Sequence, residues 1–206
     1  MSRGRGAGPL WAVALWTLVL APAGWLLWRT LTGRLGANPV ETLTLGTGHW
    51  ALRFLLLTLA ATPLRRLGGW SGLLRHRRLL GLAAAGYALL HLLIYAVLDQ
   101  GLRWSQIGRD IVERPFITAG MAGFVLLFPL AATSFDAAIR WLGARRWRAL
   151  HRLVYLATAL ALLHFWWKVK ADTREPLIYA AVFGLLLAAR FMTGRRRAKW
   201  WWRSSA

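Results

Sequence analysis

Six long apolar stretches, separated by short charged segments, limit what this sequence can fold into. A helix needs roughly 20 mainly apolar residues to cross the hydrocarbon core of a bilayer. To within several residues, stretches of that kind lie at 10–28, 46–63, 79–98, 115–133, 150–168 and 176–193. The chain is 57% hydrophobic and has fourteen tryptophans, which is too apolar for an ordinary soluble domain. We therefore expect an all-α integral membrane protein, folded as a bundle of six transmembrane helices.

Prolines mark several boundaries of these predicted spans. Pro115 and Pro176 stand where a helix would begin, a position that tolerates a missing N–H group. Pro63 is expected to end the second span, and kinks are expected at Pro22 and Pro129, which lie inside spans. The first span resembles a signal peptide around Ala21-Pro22-Ala23, but apolar residues continue to Trp28. We expect it to be a retained helix.

The charged residues predict how the bundle is oriented. Segment 64–78 holds five arginines and no acid, and segment 134–152 holds five arginines against one acid, Asp136. The other six acidic residues fall in the alternate connections: Glu41, Asp99, Asp110, Glu113, Asp172 and Glu175. The positive-inside rule then places both termini in the cytoplasm. The net charge of +20 is accounted for by these clusters, so nucleic acid is not an expected partner, whereas the lipid bilayer is.

These patterns divide the chain into three parts. Residues 1–9 form a cytoplasmic N-terminus, 10–193 the six-helix domain, and 194–206 a basic, tryptophan-rich cytoplasmic tail. A tail of this composition is typical of an interfacial anchor. The alternative is a docking site for a soluble partner.

Two histidines, His91 and His164, lie inside the third and fifth spans. Each stands eight residues before an acidic residue of an outer connection, Asp99 and Asp172, so both lie at about the same depth. Two imidazoles at equal depth on neighbouring helices are what a bis-histidine haem needs, because the axial ligands approach the iron from opposite faces. The alternative is a pair of unrelated polar residues bonded to backbone carbonyls.

A second pair, His151 and His76, lies towards the cytoplasmic side. His151 is thirteen residues before His164, which is roughly 20 Å along a helix and about 140° around it. The two do not share a face, so a second haem at His151 requires a bend or another partner helix. His76 is the candidate partner, and its alternative is a solvated position in a basic loop.

Five arginines are candidates for pairing with haem propionates. Arg75, Arg77, Arg78 and Arg152 lie at the inner surface, where the topology alone also accounts for them. Arg53, on one face of its helix with His49, is costly inside a span. It either snorkels outward or neutralises an anionic cofactor group.

Several chemistries are excluded by what the sequence lacks. There is no cysteine, which excludes disulfides, cysteine-ligated iron–sulfur clusters and covalent c-type haem. There is no G-x-G-x-x-G motif, no P-loop, and no nucleophile set beside a base. Electrons would then have to come from a lipid quinol or a separate flavoprotein rather than directly from NAD(P)H.

Four stretches together resemble a known family. They are GHWALRFLLLTLAATPLRRL (48–67), RRLLGLAAAGYALLHLLIY (77–95), ERPFITAGMAGFVLLFPLAATS (113–134) and GARRWRALHRLVYLATALALLHFWWKVK (143–170). The sequence is similar over residues 40–195 to the MsrQ (YedZ) family, the haem-binding membrane subunits of bacterial periplasmic methionine sulfoxide reductase systems.

This resemblance implies a ferric-reductase-like domain in the inner membrane with b-type haem on histidines of the third and fifth helices, here His91, His151 and His164. It implies electron transfer from quinol or a cytosolic flavin reductase to MsrP, a periplasmic molybdopterin subunit that repairs oxidised methionines. FMN is implied by the resemblance alone. One haem is expected; a second would need a ligand other than His91 on the third helix, which has one histidine well inside the membrane.

Three other functions remain open at this stage. The chain would be a haem-containing ferric or other periplasmic reductase subunit, a proton or ion transporter using His91 and His164 as a relay, or a haem-free assembly factor. No intramembrane Asp or Glu accompanies the histidines, which argues against the transporter. No independent substrate site is evident, so the expected role is a redox subunit rather than an enzyme by itself.

Overall fold

The computed structural model describes residues 9–70, 72–169 and 171–203, and the side chains of 12–70, 72–169 and 171–192. Within these residues the structure is helical and contains no strand. The helices are α1 (Pro9–Leu31), α2 (Pro39–Gly68), α3 (Gly72–Arg75), α4 (Arg77–Leu93), α5 (Trp104–Glu113), α6 (Pro115–Ala132), α7 (Asp136–Leu150), α8 (Leu153–Lys168) and α9 (Arg174–Arg203). A π-helical segment, Ile94–Asp99, directly continues α4.

Four of these helices are long and apolar enough to cross a membrane, or five if the bent pair α7–α8 forms one span. Helix α2, predicted as the second span, is not among them, because His49 and Arg53 interrupt its apolar run. It packs against α1, α3, α4, α8 and α9, so protein rather than lipid surrounds its polar positions. The all-helical membrane fold is confirmed, and the count of six spans with cytoplasmic termini stays a prediction.

The predicted starts of α6 and α9 are confirmed, and one predicted helix end is wrong. Helix α6 begins at Pro115, and Pro176 lies in the first turn of α9. Helix α2, however, continues through Pro63 to Gly68. It ends where Gly69 takes a left-handed conformation (φ 68°) and donates its N–H to the Arg65 carbonyl, a common glycine C-cap.

A tyrosine from α4 holds α1 beside Pro22, where the sequence predicts a kink. Pro22 lies inside α1, and next to it the Tyr87 hydroxyl accepts from the Ala23 N–H (2.9 Å) and donates to the Val19 carbonyl (2.8 Å). These two backbone groups would otherwise bond each other in a regular helix. The hydroxyl is therefore inserted into the α1 hydrogen-bond ladder, and it ties the first predicted span to the core. Residues 1–8 and the tail side chains from 193 on lie outside the described part.

Two antiparallel helix pairs form the centre of the bundle. α2 packs most extensively on α4, and α6 on α8. Their buried core includes Phe54, Leu80, Ala84, Tyr87 and Leu127. We call the end where α2 and α6 begin and α4 and α8 end the outer end, since the charge pattern predicts that it faces the periplasm.

A buried carboxylate fixes the short helix α5 at the outer end. Asp110 is 1% exposed and accepts hydrogen bonds from the Tyr95 hydroxyl (2.8 Å) and the Gln106 amide (3.2 Å). Its other contact is an ion pair with Arg114 at 3.1 Å. The carboxylate thus joins α5 to the π-helical segment and to the start of α6.

Candidate functional site

The rings of His91 and His164 face each other between α4 and α8. Their centroids are 6.0 Å apart, and their planes are inclined by 84°. The equal depth that the spacing from Asp99 and Asp172 predicts is therefore found in the fold. Both side chains are half-buried, because one side of each ring lines a shared cavity.

Backbone carbonyls of the neighbouring helices fix both rings. The Nδ1 of His91 lies 2.9 Å from the Thr44 carbonyl on α2, and that of His164 lies 2.6 Å from the Phe116 carbonyl on α6. A carbonyl only accepts, so each Nδ1 donates and carries the ring proton. Each Nε2 then keeps its lone pair, which is the state that a metal-binding histidine needs.

Two glycines lie directly beside these rings. A Cβ atom on Gly48 would come within 3.1 Å of the His91 ring, and one on Gly120 within 2.7 Å of the His164 Nδ1. Sequence reasoning missed both residues. Small residues mark close contacts between membrane helices, but the sequence alone does not tell which glycine meets which ring.

The cavity between the four central helices has a volume of about 440 Å³, which is in the usual range for ligand sites. Its charged and amide lining lies at the outer end: Asn38, Glu41, Asp99, Arg114 and Lys168. Its deep lining is apolar and includes Leu55, Phe124 and Leu127. The cavity therefore suits an amphiphilic ligand whose polar edge faces outward.

The two rings also have the right separation for one iron atom between them. Two imidazole nitrogens that each bound one first-row metal ion at about 2.0–2.1 Å would have their ring centres no more than about 6 Å apart, which agrees with the separation found here. Among the described residues, no group of three or more His, Asp or Glu side chains is arranged to hold a metal ion. A macrocycle that brings its own four nitrogen ligands fits this two-histidine arrangement, so the residues present fit a haem.

The predicted His49–Arg53 pair lies on one face of α2, against α9. The Arg53 Nε donates to the Tyr179 hydroxyl (2.8 Å), and its guanidinium lies 4.8 Å from the centre of the Trp50 ring. His49 packs edge-on against Phe165 and lies 3.7 Å from the Glu175 carboxylate. Arg53 thus has a tyrosine of α9 as a partner, and its two predicted roles, snorkelling outward or neutralising an anionic cofactor group, stay predictions.

The inner histidines are placed differently. His151 lies in the turn between α7 and α8, where the chain bends by 46°, and its ring stacks on Trp147 at 3.9 Å. The Nδ1 of His151 and the Nε2 of His76 are buried and have no hydrogen-bond partner in the described part of the chain. No ring contact comparable to that of His91 with His164 joins these two among the described residues.

The inner arginines are near this region. Arg78 forms an ion pair with Asp136, and its charge holds the pKa of that carboxyl below its usual range. Arg77 lies near the His151 ring. Arg152 occupies the N-cap position of α8 and is exposed. Their predicted role towards propionates stays a prediction.

The chain is similar to proteins of one known family. Residues 47–162 match the ferric reductase like transmembrane component. The chain is 51% identical to the protein-methionine-sulfoxide reductase heme-binding subunit MsrQ of Rhodospirillum rubrum, over 91% of this chain and 90% of that one.

The chain belongs to the MsrQ family. Two further members show the same extent of similarity. The subunit of Ralstonia nicotianae is 48% identical over 94% of this chain and 87% of its own length, and that of Brucella ovis is 52% identical over 90% and 82%. No solved structure matches the chain significantly. The family resemblance drawn from the four sequence stretches is thus confirmed.

Proposed function

We propose that this protein is a haem b electron-transfer subunit of the bacterial inner membrane. It passes electrons outward to a periplasmic molybdopterin methionine sulfoxide reductase, MsrP, for the repair of oxidised periplasmic proteins. The observation that carries this proposal is the facing pair His91–His164, with both Nδ1 atoms donating to carbonyls and both rings bordering one cavity. The relatives' names, which describe heme-binding subunits of such reductases, support it.

In this proposal His91 and His164 hold the haem iron, which supplies a reversible one-electron centre when it is bound. The chain supplies the rest. The Thr44 and Phe116 carbonyls keep each ring in the ligating tautomer and orientation. The apolar deep lining excludes water, and Arg114 and Lys168 lie at the outer end as the cations nearest to the cavity for the carboxylates of the group.

The inner histidines carry a second part of the proposal. The buried, unpartnered ring nitrogens of His76 and His151 are available to a second haem at the inner side, with Arg77, Arg78 and Arg152 near its carboxylates. Such a group would lie between the cytoplasm and the outer pair. The donor is then quinol or a cytosolic flavin reductase, and FMN enters only through the family resemblance.

The first test is spectroscopic. We expect the protein purified in detergent to give a Soret band and, after dithionite reduction, a sharp α band. A purified protein without these bands would refute the haem proposal, and would favour the transporter or assembly-factor reading. The donor is then tested by adding either a quinol analogue or a flavin reductase with its nicotinamide substrate and following the α band.

The acceptor is tested with the reduced protein. We expect that adding MsrP with a methionine sulfoxide substrate reoxidises the haem, whereas MsrP without the substrate gives at most one turnover. A second candidate function, a reductase subunit with another acceptor, is favoured by the ferric-reductase-like match over residues 47–162. Reoxidation by a ferric chelate but not by MsrP would establish that second function instead.

A further inference from the structure

The two histidines are held by the same arrangement on two different helices. His91 donates to the carbonyl of Thr44 and lies against Gly48, four residues further along α2. His164 donates to the carbonyl of Phe116 and lies against Gly120, four residues further along α6. In both cases one helix offers a carbonyl, and the residue one turn later is a glycine.

The geometry of an α-helix explains this spacing. The carbonyl of residue i points along the axis towards the N–H of residue i+4, and each Cβ leans back towards the N-terminus of the helix. The side chain of residue i+4 therefore lies beside the carbonyl oxygen of residue i. A ring that donates to that carbonyl from a neighbouring helix must occupy the space that a Cβ at i+4 would take.

We propose that Gly48 and Gly120 are positioning residues that set the depth and the crossed orientation of the His91 and His164 imidazoles. This inference rests on the proposed haem function, and it assigns residues that touch neither iron nor substrate. Each glycine leaves room for one ring to reach its carbonyl. Because the contact is with the ring itself, any larger residue pushes the imidazole away from the carbonyl and turns its plane.

The two positions differ in how tightly they are filled. At Gly120 the nearest ring atom is 2.7 Å from the Cβ position, a distance that real Cβ atoms do not adopt. At Gly48 the nearest ring atoms are at 3.1 Å, so the ring has to move by a few tenths of an ångström. We therefore expect a graded response, with Gly120→Ala more severe than Gly48→Ala.

The chain contains matched controls. Gly81 on α4 lies against α2, and a Cβ there would meet the Thr58 Cγ2 at 3.8 Å, which is ordinary contact. Gly86 on α4 has nothing within 4 Å of its Cβ position. Gly81→Ala tests the packing of α4 on α2 without touching a ring or the cavity, and Gly86→Ala tests the helix itself.

The experiment compares the haem content per protein and the EPR spectrum of the ferric state for the wild type and the four variants. Crossed imidazole planes give a strongly anisotropic low-spin signal, and rotation towards parallel planes reduces the anisotropy. We expect Gly48→Ala to retain most of the haem with a shifted signal. We expect Gly120→Ala to lose affinity by about 10–100-fold, as variants of groups that orient metal ligands do.

Gly81→Ala and Gly86→Ala should match the wild type in both measurements. Wild-type haem content and an unchanged EPR signal in both Gly48→Ala and Gly120→Ala would overturn this inference while leaving the proposed function intact. An equal loss in Gly81→Ala would also overturn it, since helix packing rather than ring position would then be responsible. A wild-type protein without haem would refute the proposed function, and the inference with it.

Discussion

The outer and inner histidine pairs differ in what surrounds them. His91 and His164 lie within helices, each with one nitrogen bonded to a backbone carbonyl and the ring held beside a glycine. His76 and His151 lie at helix ends, each with a buried nitrogen that has no partner among the described residues. The outer rings are therefore oriented by hydrogen bonds from the protein's own backbone, whereas these nitrogens of the inner histidines have no such bond and the His151 ring is held by stacking on Trp147. Preorganisation of this kind raises affinity, because less ordering is needed on binding.

The largest effect expected from this difference concerns the ligands themselves. His91→Ala and His164→Ala should each lower the haem content of the purified protein by more than about tenfold, because loss of an axial ligand exceeds the loss of an orienting group. His76→Ala and His151→Ala should leave the major haem signal in place. Reduced-minus-oxidised spectra per milligram of protein measure both. If His151→Ala removed the haem and His164→Ala did not, the outer and inner assignments would have to be exchanged.

The second effect compares two carboxylates that pair with arginine. Asp110, buried at the outer end, holds Tyr95, Gln106 and Arg114, so Asp110→Asn should lower the free energy of unfolding by about 1–3 kcal/mol, the range for an unsatisfied buried group. Asp136→Asn removes only an exposed ion pair with Arg78 and should leave the Tm unchanged. Thermal unfolding in detergent distinguishes the two variants. Equal shifts would mean that the outer network does not hold α5 and α6 together.

The smallest effect concerns the cations at the two ends. Lys168→Gln should weaken haem binding by about 0.2–1 kcal/mol, at most about fivefold, because exposed ion pairs contribute little. Arg77→Gln and Arg152→Gln should not change binding to the outer pair. Titration of haem into apoprotein provides the affinities. A larger loss for Arg77→Gln would show that the haem carboxylates face the inner side.

Much of this architecture follows from local sequence patterns. Long apolar runs, basic clusters and the helix-starting Pro115 and Pro176 predict the membrane helices, because each signal acts within a few residues of chain. The equal spacing of His91 and His164 from outer acidic residues predicts their shared depth by the same local rule. The end of α2 was predicted wrongly at Pro63, since the helix continues to the Gly69 cap. A proline in a helix interrupts one hydrogen bond, and the surrounding helices of the bundle maintain the rest.

The contacts between helices could not be predicted in this way. These contacts depend on how far one helix is shifted along its neighbour and turned against it. They include the hydrogen bond from Arg53 to Tyr179, the entry of the Tyr87 hydroxyl into the α1 hydrogen-bond ladder, and the room that Gly48 and Gly120 leave for two imidazoles. Hydropathy fixes which segments are buried but not their mutual register. The sequence by itself determined that this chain is a helical membrane protein with two histidines at one depth. Only the tertiary structure decided that their rings face each other, because that requires the close packing of α2 on α4 and of α6 on α8.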